Sequence, residues 1–557
     1  MAARITDTFK LALAQLNPVV GDIDGNLRMA RAARAEAAAA SADVVVFTEL
    51  YLTGYPIEDL VLKPALQAAA KAAATSFAMD TGDGGPAILV GLPWADGALV
   101  YNAVALLDDG RIQAVRFKNN LPNYGVFDEK RVFATGPLPE PIEVRGVKMG
   151  VPVCEDIWSE EVCAALKDNG AELLIVPNGS PYWMEKQPLR YDVAAARVAE
   201  TGLPLAYVNQ VGGQDELVFD GASFVLNDDG ALAMQMPAWQ EAVDISVWRR
   251  EETRWRCLPG EKAKVESGDA ANYLACVTGL RDYVEKNGFP GVVLGLSGGV
   301  DSALCAAMAV DALGPSRVHC VMLPYAYTSE ESLRDAKASA KGLGVRYDIL
   351  PIAPAVDGLS ASLAPVFAET KEDATEENLQ SRARGTILMA ISNKFGPIVL
   401  TTGNKSEVSV GYATLYGDMN GGFNPIKDLY KTQVYAVARY RNGECPRGCL
   451  GPEGEVIPEN ILTKAPTAEL KPGQRDQDTL PPYDVLDDIL NSLVEREMPL
   501  AEIVARGHPA ETVKKVERML YLAEYKRRQA APGVKITAKN FGRDRRYPIV
   551  NKFRETL

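Results

Sequence analysis

Three residues in the first half of the sequence carry side chains suited to nucleophilic catalysis. Glu49 follows the apolar segment VVVFT, Lys118 lies in FKNNLPNYGVFDEKRVF, and Cys154 follows MGVPV. A thiolate is a nucleophile and a nearby carboxylate can take the thiol proton. An ammonium group stabilises negative charge, first on the thiolate and then on a tetrahedral oxyanion. These residue types therefore predict acyl transfer through a covalent intermediate on Cys154.

The scarcity of histidine supports this chemistry. The sequence has two histidines, His319 and His508, and neither lies near a nucleophile motif. A Ser-His-Asp or Cys-His hydrolase needs an imidazole base, so covalent chemistry here requires a different base. Taken singly, each residue also fits a structural interpretation, because a buried cysteine is commonly inert and Glu and Lys are commonly solvated.

A glycine-rich segment in the second half, LGLSGGVDSA, joins a predicted buried strand to a predicted helix. Glycines let the backbone approach an anion closely, and the free N–H groups of a helix N-terminus then hold it. The segment lacks the G-x-x-x-x-G-K-[ST] pattern of a P-loop. The segment therefore predicts an anion site, typical of phosphate groups, at Ser297, Gly298, Gly299, Asp301 and Ser302.

Polar residues elsewhere in the second half extend this predicted site. Asp301 is a candidate Mg²⁺ ligand, because Mg²⁺ bridges protein carboxylates and nucleotide phosphates. Glu407, after a predicted buried strand, is the second candidate ligand, and Thr402 is expected to contact the nucleotide. Arg382 and Arg384 lie on a predicted helix, where they either neutralise the triphosphate or form an exposed basic turn.

The elements that must position these residues follow an α/β pattern. Continuous apolar segments are typical of strands buried on both faces. An Ala-rich segment, 29–42, predicts a helix. The strand candidates are 44–47, 87–91, 149–153, 173–177 and 205–209.

A charged segment, 248–268, contains Pro259 and Gly260 and is interpreted as a linker. A helical pattern and the strand before the glycine-rich segment follow it. We therefore predict two domains, 1–258 and 259–557.

The order of motifs in the first half resembles the nitrilase superfamily. TEL, K-x-x-L and VCED are similar to the three motifs that carry its Glu-Lys-Cys triad. The resemblance spans about residues 9–240. It implies a four-layer αββα sandwich with Glu49, Lys118 and Cys154 as the catalytic triad.

Longer segments resemble the glutaminase domain of NAD⁺ synthetases, namely LPNYGVFDEKRVF and VCEDIW. This resemblance implies that Tyr124 and Phe127 line a glutamine pocket, although both aromatic rings would also fit simple packing. It implies that Glu129 contacts Lys118 and holds it in position without touching the substrate. The expected ligands of the glutamine amino and carboxyl groups are Glu155, Ser180 and Lys186.

The second half resembles the same family. SGGVDS is similar to the PP-loop of N-type ATP pyrophosphatases, which leave an adenylate. This resemblance implies a parallel-sheet, Rossmann-like domain. It also implies that ATP is bound by Ser297, Gly298, Gly299, Asp301, Ser302, Arg384 and Thr402. YGDMNGGFNPIKDLYKTQVY and KAPTAELKPGQRDQDTLPPYDVLDDIL resemble NAD⁺ synthetases. The resemblance places Lys431 over the phosphates or the reacting carboxylate. It assigns Glu407, Lys431 and Asp478 to the deamido-NAD⁺ site.

These resemblances imply an amidation of deamido-NAD⁺ that uses ATP, Mg²⁺ and ammonia from glutamine, with an ammonia channel and a homo-oligomeric assembly. Two alternatives stay open. Another acceptor would leave the enzyme class unchanged, but the PIKDLYK and LPPYD segments disfavour it. A degenerate half would leave a simple amidase attached to a regulatory nucleotide-binding module, but every motif residue is present.

Composition excludes other classes. With 73 acidic and 59 basic residues, the net charge is −14, which argues against nucleic-acid binding. Asp7 and Lys10 interrupt any signal peptide, and no apolar run spans a bilayer, so we expect a cytoplasmic protein without membrane contact. Eight cysteines are too few for a disulfide scaffold. Cys445 and Cys449, in CPRGC, lack two further zinc ligands nearby and are interpreted as a surface loop.

Overall fold

The computed structural model describes residues 7–252 and 254–556. The chain forms two compact units, Met1–Glu266 and Ser267–Leu557. This division lies a few residues after the boundary predicted at 258. The assignment of separate activities to the two predicted domains stays a prediction.

The first unit combines many strands with a few α-helices. Its helices are α1 (Ile23–Ala39), α2 (Pro64–Asp80), α3 (Glu160–Asp168) and α4 (Lys186–Thr201). Its strands are β1 (Thr8–Gln15), β2 (Val44–Val46), β3 (Ala87–Asp96), β4 (Leu99–Asp108), β5 (Arg111–Phe117), β6 (Ile142–Val144), β7 (Val147–Gly150), β8 (Leu173–Asn178), β9 (Leu205–Asn209), β10 (Val211–Gln214), β11 (Leu217–Asp220), β12 (Phe224–Leu226), β13 (Leu232–Gln235), β14 (Ala242–Glu251) and β15 (Arg254–Cys257). The five predicted strands overlap β2, β3, β7, β8 and β9, and the predicted helix overlaps α1.

Two large sheets organise this unit. One has the strand order β15-β14-β1-β2-β3-β4-β5, and the other has the order β13-β12-β9-β8-β7-β6. The central pairs β1–β2–β3 and β7–β8–β9 are parallel, with Leu11 opposite Val44 and Leu174 opposite Leu205. Because parallel strands are covered on both faces, this arrangement explains their continuous apolar runs.

The two sheets share one core, and helices cover their outer faces. Successive side chains of a strand point to opposite faces, so Leu11 and Leu13 lie in the core between the sheets while Ala12 and Ala14 pack towards α1 and α2. On the second sheet, Leu174 and Val176 pack in the cluster that includes residues of α3 and α4. This is a four-layer αββα sandwich, which confirms the predicted fold.

The prediction of a linker over 248–268 is wrong for the first part of that segment. Residues of this segment complete β14 and form β15, which pairs antiparallel with β14. Trp248 and Trp255 are buried in the core between the sheets, whereas Arg249 and Arg254 are exposed. The many charges hid a period-two pattern, in which alternate residues face the core.

The second unit contains four parallel strands among helices. The strands are β16 (Val292–Gly295), β17 (Val318–Met322), β18 (Arg346–Ile349) and β19 (Ile398–Leu400), in the order β18-β17-β16-β19. The helices are α5 (Gly268–Lys286), α6 (Val300–Leu313), α7 (Glu330–Leu343), α8 (Ala353–Phe367), α9 (Ala374–Phe395), α10 (Lys405–Val410), α11 (Lys431–Gly443), α12 (Glu459–Thr463), α13 (Tyr483–Val494), α14 (Leu500–Ala505), α15 (Ala510–Leu522) and α16 (Glu524–Arg527). The parallel sheet confirms the predicted Rossmann-like fold.

The core of this unit positions the segments that follow the carboxyl ends of β16 and β19. Val293 and Val399 pack in the same apolar cluster as Leu388 of α9, and the glycine-rich segment follows β16 directly. A separate cluster joins α13, α14 and α15. Among the described residues, no helix combines the length and apolar character needed to cross a membrane.

Candidate active sites

In the first unit, Glu49 and Lys118 form a completely buried ion pair. Glu49 follows β2, and Lys118 is the residue directly after β5. Lys118 Nζ donates to Glu49 Oε1 at 2.7 Å, and both side chains are fully buried. Glu49 also accepts from Asn102 Nδ2 at 2.7 Å and from the Gly179 amide at 3.0 Å. These bonds fix the orientation of the carboxylate.

Lys118 has a second carboxylate partner. Its Nζ donates to Glu129 Oε2 at 2.9 Å, and Tyr55 donates its hydroxyl proton to Glu129 Oε1 at 3.0 Å. Burial opposes the charge of Lys118, but Glu129 and Glu49 together hold its pKa well above the ordinary value. Lys118 is therefore a fixed cation, and the predicted contact with Glu129 is present.

Cys154 lies at the first turn after β7, in the short 3-10 helix Cys154–Trp158. Its φ of 46° is a strained, left-handed conformation for a residue with a side chain. Burial raises the pKa of the Cys154 thiol well above its usual range; Glu49 raises it further and Lys118 lowers it. The raised pKa favours the protonated form of the thiol.

Asp156 holds this turn against the segment that follows Lys118. Asp156 Oδ2 accepts from the Val153 amide at 2.9 Å, and Oδ1 accepts from the amides of Asn119 and Asn120 at 3.1 and 2.7 Å. The structure therefore brings Glu49, Lys118 and Cys154 into one electrostatically coupled, buried cluster. Sequence reasoning missed Tyr55, Asn102 and Asp156, which support it.

The predicted glutamine-binding residues include a contact between Tyr124 and Glu155. The Tyr124 hydroxyl donates to both carboxylate oxygens of Glu155 at 3.0 Å. Tyr124 is 54% exposed, so it is not a core residue. Its ring lies 5.6 Å from that of Phe127, which packs partly against an apolar cluster. The exposure of Tyr124 argues against a pure packing role for that residue, and the pocket roles of Tyr124 and Phe127 stay predictions.

Lys186, the first residue of α4, interacts electrostatically with Cys154. Lys186 Nζ is 4.1 Å from the centroid of the Trp158 ring. Burial and, to a smaller extent, Arg190 lower the pKa of Lys186 to about 8, although Cys154 and Glu155 act in the opposite direction. Lys186 thus shares the electrostatic environment of Cys154.

Ser180 is held by a buried arginine that sequence reasoning missed. Arg190 donates from Nε to Ser180 Oγ at 3.1 Å and from Nη2 to the Ser180 carbonyl oxygen at 2.7 Å. Asp220 in turn accepts from Arg190 Nη1 at 2.7 Å. The pair of Arg190 and Asp220 joins positions 30 residues apart in the sequence, a separation that carries no local pattern.

In the second unit, the glycine-rich loop borders a cavity of about 300 Å³. Gly298 has a φ of 83°, and a Cβ there would lie 2.4 Å from the Ser332 carbonyl oxygen of α7. Only glycine fits this approach. The predicted site residues that line the cavity are Ser297, Gly298, Gly299, Asp301, Ser302, Arg384, Thr402, Glu407 and Lys431.

Lys431, Asp301 and Glu407 form the charged centre of this cavity. Lys431 Nζ donates to Asp301 Oδ2 at 2.5 Å and to Glu407 Oε1 at 3.3 Å. Asn404 donates from Nδ2 to Asp301 Oδ1 at 2.9 Å. Burial opposes the charge of Lys431, but Asp301 and Glu407 hold its pKa above the ordinary value. Burial raises the pKa of Glu407, and Lys431 counteracts that rise.

The donor chemistry of this centre fits a hard divalent cation. Asp301 and Glu407 converge on one cationic group beside the cavity. Mg²⁺ is commonly held by one or two carboxylates together with substrate phosphates. Within 7–252 and 254–556, His, Cys, Asp and Glu form no cluster of three or more that would hold a metal unaided. A cation here would therefore depend on oxygens of the substrate.

The two predicted arginines of α9 differ in placement. Arg384 lines the cavity and donates from Nε to the Leu323 carbonyl oxygen at 3.0 Å. Burial lowers the pKa of Arg384. Arg382 donates to the Leu415 carbonyl oxygen at 3.2 Å and is not among the described residues that line the cavity.

Asp478 lies outside this cavity as the structure describes it. Its side chain is exposed and accepts from the Arg475 amide at 2.9 Å, where it caps a short 3-10 helix, Asp476–Asp478. The buried acid of this segment is Asp476, which lines the cavity and accepts from the Tyr483 hydroxyl at 2.9 Å. The role of Asp478 in dinucleotide binding stays a prediction. Sequence reasoning missed Asp476.

The CPRGC segment connects α11 to α12. Cys445 and Cys449 are partly buried free thiols. No cluster of metal-ligating side chains in the described part of the chain includes them. The interpretation of this segment as a surface loop stays a prediction.

Two family models match the chain. The model for carbon-nitrogen hydrolases matches residues 10–254, and the model for NAD synthases matches residues 273–530. A glutamine-dependent NAD(+) synthetase from Rhodobacter capsulatus is 52% identical over 99% of this chain and 100% of that protein. The protein of the same name from Xanthomonas campestris is 47% identical over 98% of each chain.

Solved structures extend the similarity to the fold. The structure of glutamine-dependent NAD+ synthetase from Acinetobacter baumannii, in complex with ADP, is 44% identical with a TM-score of 0.78 over 98% of this chain and 99% of that chain. The synthetase from Cytophaga hutchinsonii, at 22% identity and a TM-score of 0.82, shares the fold over 98% of each chain. The resemblance predicted from the motifs is confirmed in both halves. This chain belongs to the family of glutamine-dependent NAD⁺ synthetases.

Proposed function

We propose that the chain converts deamido-NAD⁺ to NAD⁺ through an adenylate, with ATP as the activating substrate and glutamine as the source of ammonia. One observation carries the proposal: each unit assembles, around a buried lysine between two carboxylates, the residues that one half of this reaction requires. Glutamine hydrolysis belongs to the first unit, and adenylation and amidation belong to the second.

Glutamine hydrolysis begins at Cys154. The Sγ atom attacks the side-chain amide carbon of glutamine while Glu49 takes the thiol proton. The oxyanion that forms is stabilised by the Lys118 ammonium group, whose position is fixed by Glu49 and Glu129. Glu49 then delivers its proton to the departing nitrogen, ammonia leaves, and a thioester remains on Cys154.

The thioester is hydrolysed by reversing these roles. Glu49 removes a proton from water as the oxygen attacks the thioester carbon, and the same proton returns to the sulfur as glutamate leaves. Because a carboxylate serves as base in both steps, no histidine is required. This role fits a carboxylate that is oriented by Lys118, Asn102 and the Gly179 amide.

Recognition of glutamine uses charged groups that interact with Cys154. We assign the α-amino group to Glu155 and the α-carboxylate to Lys186 and Ser180. Tyr124 and Phe127 form the wall of the pocket. The contacts of Glu155 with Tyr124 and of Ser180 with Arg190 support these assignments, because they hold the ligand groups in place before substrate arrives.

In the second unit, the carboxylate of deamido-NAD⁺ attacks the α-phosphorus of ATP, and pyrophosphate leaves. Backbone N–H groups of 297–299 and the N-terminus of α6 are suited to hold the phosphates, with Ser302 and Thr402 nearby. Lys431 and Arg384 balance the negative charge that the phosphates carry. Ammonia then attacks the acyl carbon of the adenylate, and AMP leaves.

Mg²⁺ would be held by Asp301 and Glu407, where it supplies charge neutralisation to the phosphates when bound. The deamido-NAD⁺ site is assigned to Glu407, Lys431 and Asp478. An ammonia channel and a homo-oligomeric assembly belong to the same proposal, because free ammonia is mostly protonated at neutral pH and a protected route preserves the nucleophile.

The proposal is tested by a product balance. Incubation of the purified chain with deamido-NAD⁺, ATP, Mg²⁺ and glutamine is expected to yield NAD⁺, AMP, pyrophosphate and glutamate in equal amounts. With ¹⁸O in the carboxylate of deamido-NAD⁺, one labelled oxygen is expected in AMP. ADP with inorganic phosphate, or AMP without label, would contradict the adenylate. Glutamate without NAD⁺ would indicate a degenerate second unit.

A further inference from the structure

Two helices of the second unit begin at the cavity, and each carries one member of its charged centre. Asp301 is the second residue of α6, and Lys431 is the first residue of α11. The two side chains contact each other directly. The distance between the reacting groups therefore depends on how α6 and α11 are aligned along their lengths.

A second ion pair joins the same two helices far from the cavity. Asp311 lies ten residues after Asp301 on α6, and Arg441 lies ten residues after Lys431 on α11. Arg441 Nε donates to Asp311 Oδ2 at 2.5 Å and Nη2 donates to Oδ1 at 3.1 Å. Ten residues of helix span about 15 Å, so the two helices are tied at two well-separated points.

We infer that Asp311 and Arg441 are positioning residues for Lys431 and Asp301. Apolar packing between two helices resists sliding and rotation only weakly when a single polar contact joins them. A second directional contact about 15 Å away opposes both movements. The inference rests on the proposed function of Lys431. Neither Asp311 nor Arg441 is among the described residues that line the cavity, so any effect on the reaction must pass through the helices.

The geometry of the pair is specific to a guanidinium group. Its two parallel hydrogen bonds fix direction as well as distance, which a lysine ammonium cannot do. Both side chains are fully buried, and Asp311 also accepts from the Tyr273 hydroxyl of α5. A fully satisfied buried network of this kind is rigid.

The loop after α11 closes over the pair. Arg441 Nη2 also donates to the Pro452 carbonyl oxygen at 2.7 Å, and the Leu450 amide donates to the Asp311 carbonyl oxygen at 2.9 Å. A Cβ at Gly451 would lie 1.9 Å from Asp311 Oδ1. The loop thus seals the ion pair from water and prevents the guanidinium from changing partners.

Stability alone does not explain the pair. A buried ion pair can often be replaced by apolar residues of similar volume without loss of stability. Alignment of the reacting groups, by contrast, is sensitive, since a displacement of about 1 Å can cost about 100-fold in rate. Stabilisation and alignment can therefore be distinguished in a variant that keeps the core filled but lacks the two hydrogen bonds from the guanidinium group to Asp311.

The test uses the full chain with ammonium chloride as the nitrogen donor, so that the first unit is not needed. The variant Asp311→Leu, Arg441→Met, Tyr273→Phe fills the site with apolar groups. We expect a melting temperature close to that of the unaltered protein, a kcat for NAD⁺ formation lower by about tenfold or more, and a KM for ATP that changes much less. The control Asp488→Asn, Arg506→Gln removes an exposed ion pair of the same unit and is expected to keep full kcat.

Combination with Lys431→Met separates the possible outcomes. If the pair acts through Lys431, adding the apolar variant to Lys431→Met causes little further loss, because coupled residues are not additive. Full kcat in the folded apolar variant, or fully multiplicative losses, would overturn the inference. Full kcat in Lys431→Met alone would instead overturn the proposed role of Lys431. If the apolar variant does not fold, Arg441→Lys is the test, because it keeps the positive charge and loses the paired hydrogen bonds to Asp311. A reduced kcat in this variant supports the inference, and a full kcat contradicts it.

Discussion

The two candidate sites share one electrostatic design. In the first, Lys118 lies between Glu49 and Glu129, with Nζ–O distances of 2.7 and 2.9 Å. In the second, Lys431 lies between Asp301 and Glu407, with Nζ–O distances of 2.5 and 3.3 Å. Each group of three carries a net charge of −1 when all members are ionised. Both lysines are buried, and each has its pKa raised by its two carboxylate neighbours against the effect of burial.

The surroundings make these similar centres do different chemistry. The first centre is closed to solvent, because the side chains of Lys118 and Glu49 are fully buried and that of Glu129 is 7% exposed. The second is more open, because Asp301 and Glu407 are 17% and 19% exposed. Lys431 faces a cavity of about 300 Å³ bordered by the glycine-rich loop. A closed centre with a thiol suits a fixed base and a fixed cation for a small amide. An open centre suits phosphates and a metal ion that arrive with the substrate.

The largest effect is expected at the open centre. Asp301→Asn keeps the shape but removes the charge that Lys431 and a metal ion would share. Charge stabilisation of this kind contributes several kcal/mol, so AMP formation is expected to fall by about 10³-fold or more. Glutamine hydrolysis by the same variant should remain measurable and serves as the control. Unchanged AMP production would refute the metal role of Asp301.

At the closed centre, Glu49→Gln removes the proposed base. Its amide oxygen can still accept from Lys118 and Asn102, whereas its NH₂ group cannot accept from the Gly179 amide. Loss of a general base is expected to lower glutamine hydrolysis by about 10²- to 10⁴-fold. NAD⁺ formation from ammonium chloride should not change. Loss of both activities in a folded variant would contradict the separation of the two sites. Glutamine hydrolysis at the normal rate would contradict the role of Glu49 as the base.

A smaller and pH-dependent effect is expected from Lys186. Its pKa of about 8 means that the free protein loses this positive charge as the pH rises through about 8. Since the charge is proposed to bind the glutamine carboxylate, the KM for glutamine should rise above that pH while kcat changes less. Lys186→Met should show a high KM without this inflection. Lys71→Met is a matched control, because Lys71 also lies over a tryptophan ring, at 4.6 Å from Trp94; it should behave as the unaltered protein.

The smallest effect is expected from Tyr55→Phe, which removes one hydrogen bond to Glu129. A bond of this type contributes about 0.5–1.5 kcal/mol, so glutamine hydrolysis should fall by about two- to tenfold. Tyr51→Phe is the control, because the Tyr51 hydroxyl has no hydrogen-bond partner among the described residues. Equal losses in both variants would show that Tyr55 acts only through packing.

Much of the fold was predictable because its signals are local. Continuous apolar runs predicted the parallel strands, and the residues that follow those strands include Glu49 and the glycine-rich loop. Strands that run in one direction in a sheet end at a common edge, which explains why Glu49 and Lys118 meet. Cys154 follows a strand of the other large sheet of this unit. The exception was the charged segment that contains β15, where Arg residues on the exposed face hid the buried Trp248 and Trp255.

The supporting contacts were not predictable because they join distant positions. Tyr55 meets Glu129 across 74 residues, and Arg441 meets Asp311 across 130. Neither pair has a spacing that any local pattern records. In the 3-10 turn Asp476–Asp478, the first aspartate is buried and the second is exposed. The sequence DQD alone does not indicate which of the two is buried. The roles assigned to individual site residues stay predictions.

The central claim is that two separable sites are linked only by ammonia, and Cys154→Ala tests it most directly. The substitution removes one thiol from the first unit and alters no residue of the glycine-rich loop. With glutamine as donor, the variant should form no NAD⁺. With ammonium chloride, it should form NAD⁺ as the unaltered protein does, and faster at higher pH as the fraction of free ammonia rises. NAD⁺ formation from glutamine would show that Cys154 is not the nucleophile, and loss of both activities in a folded variant would show that the sites are not separable.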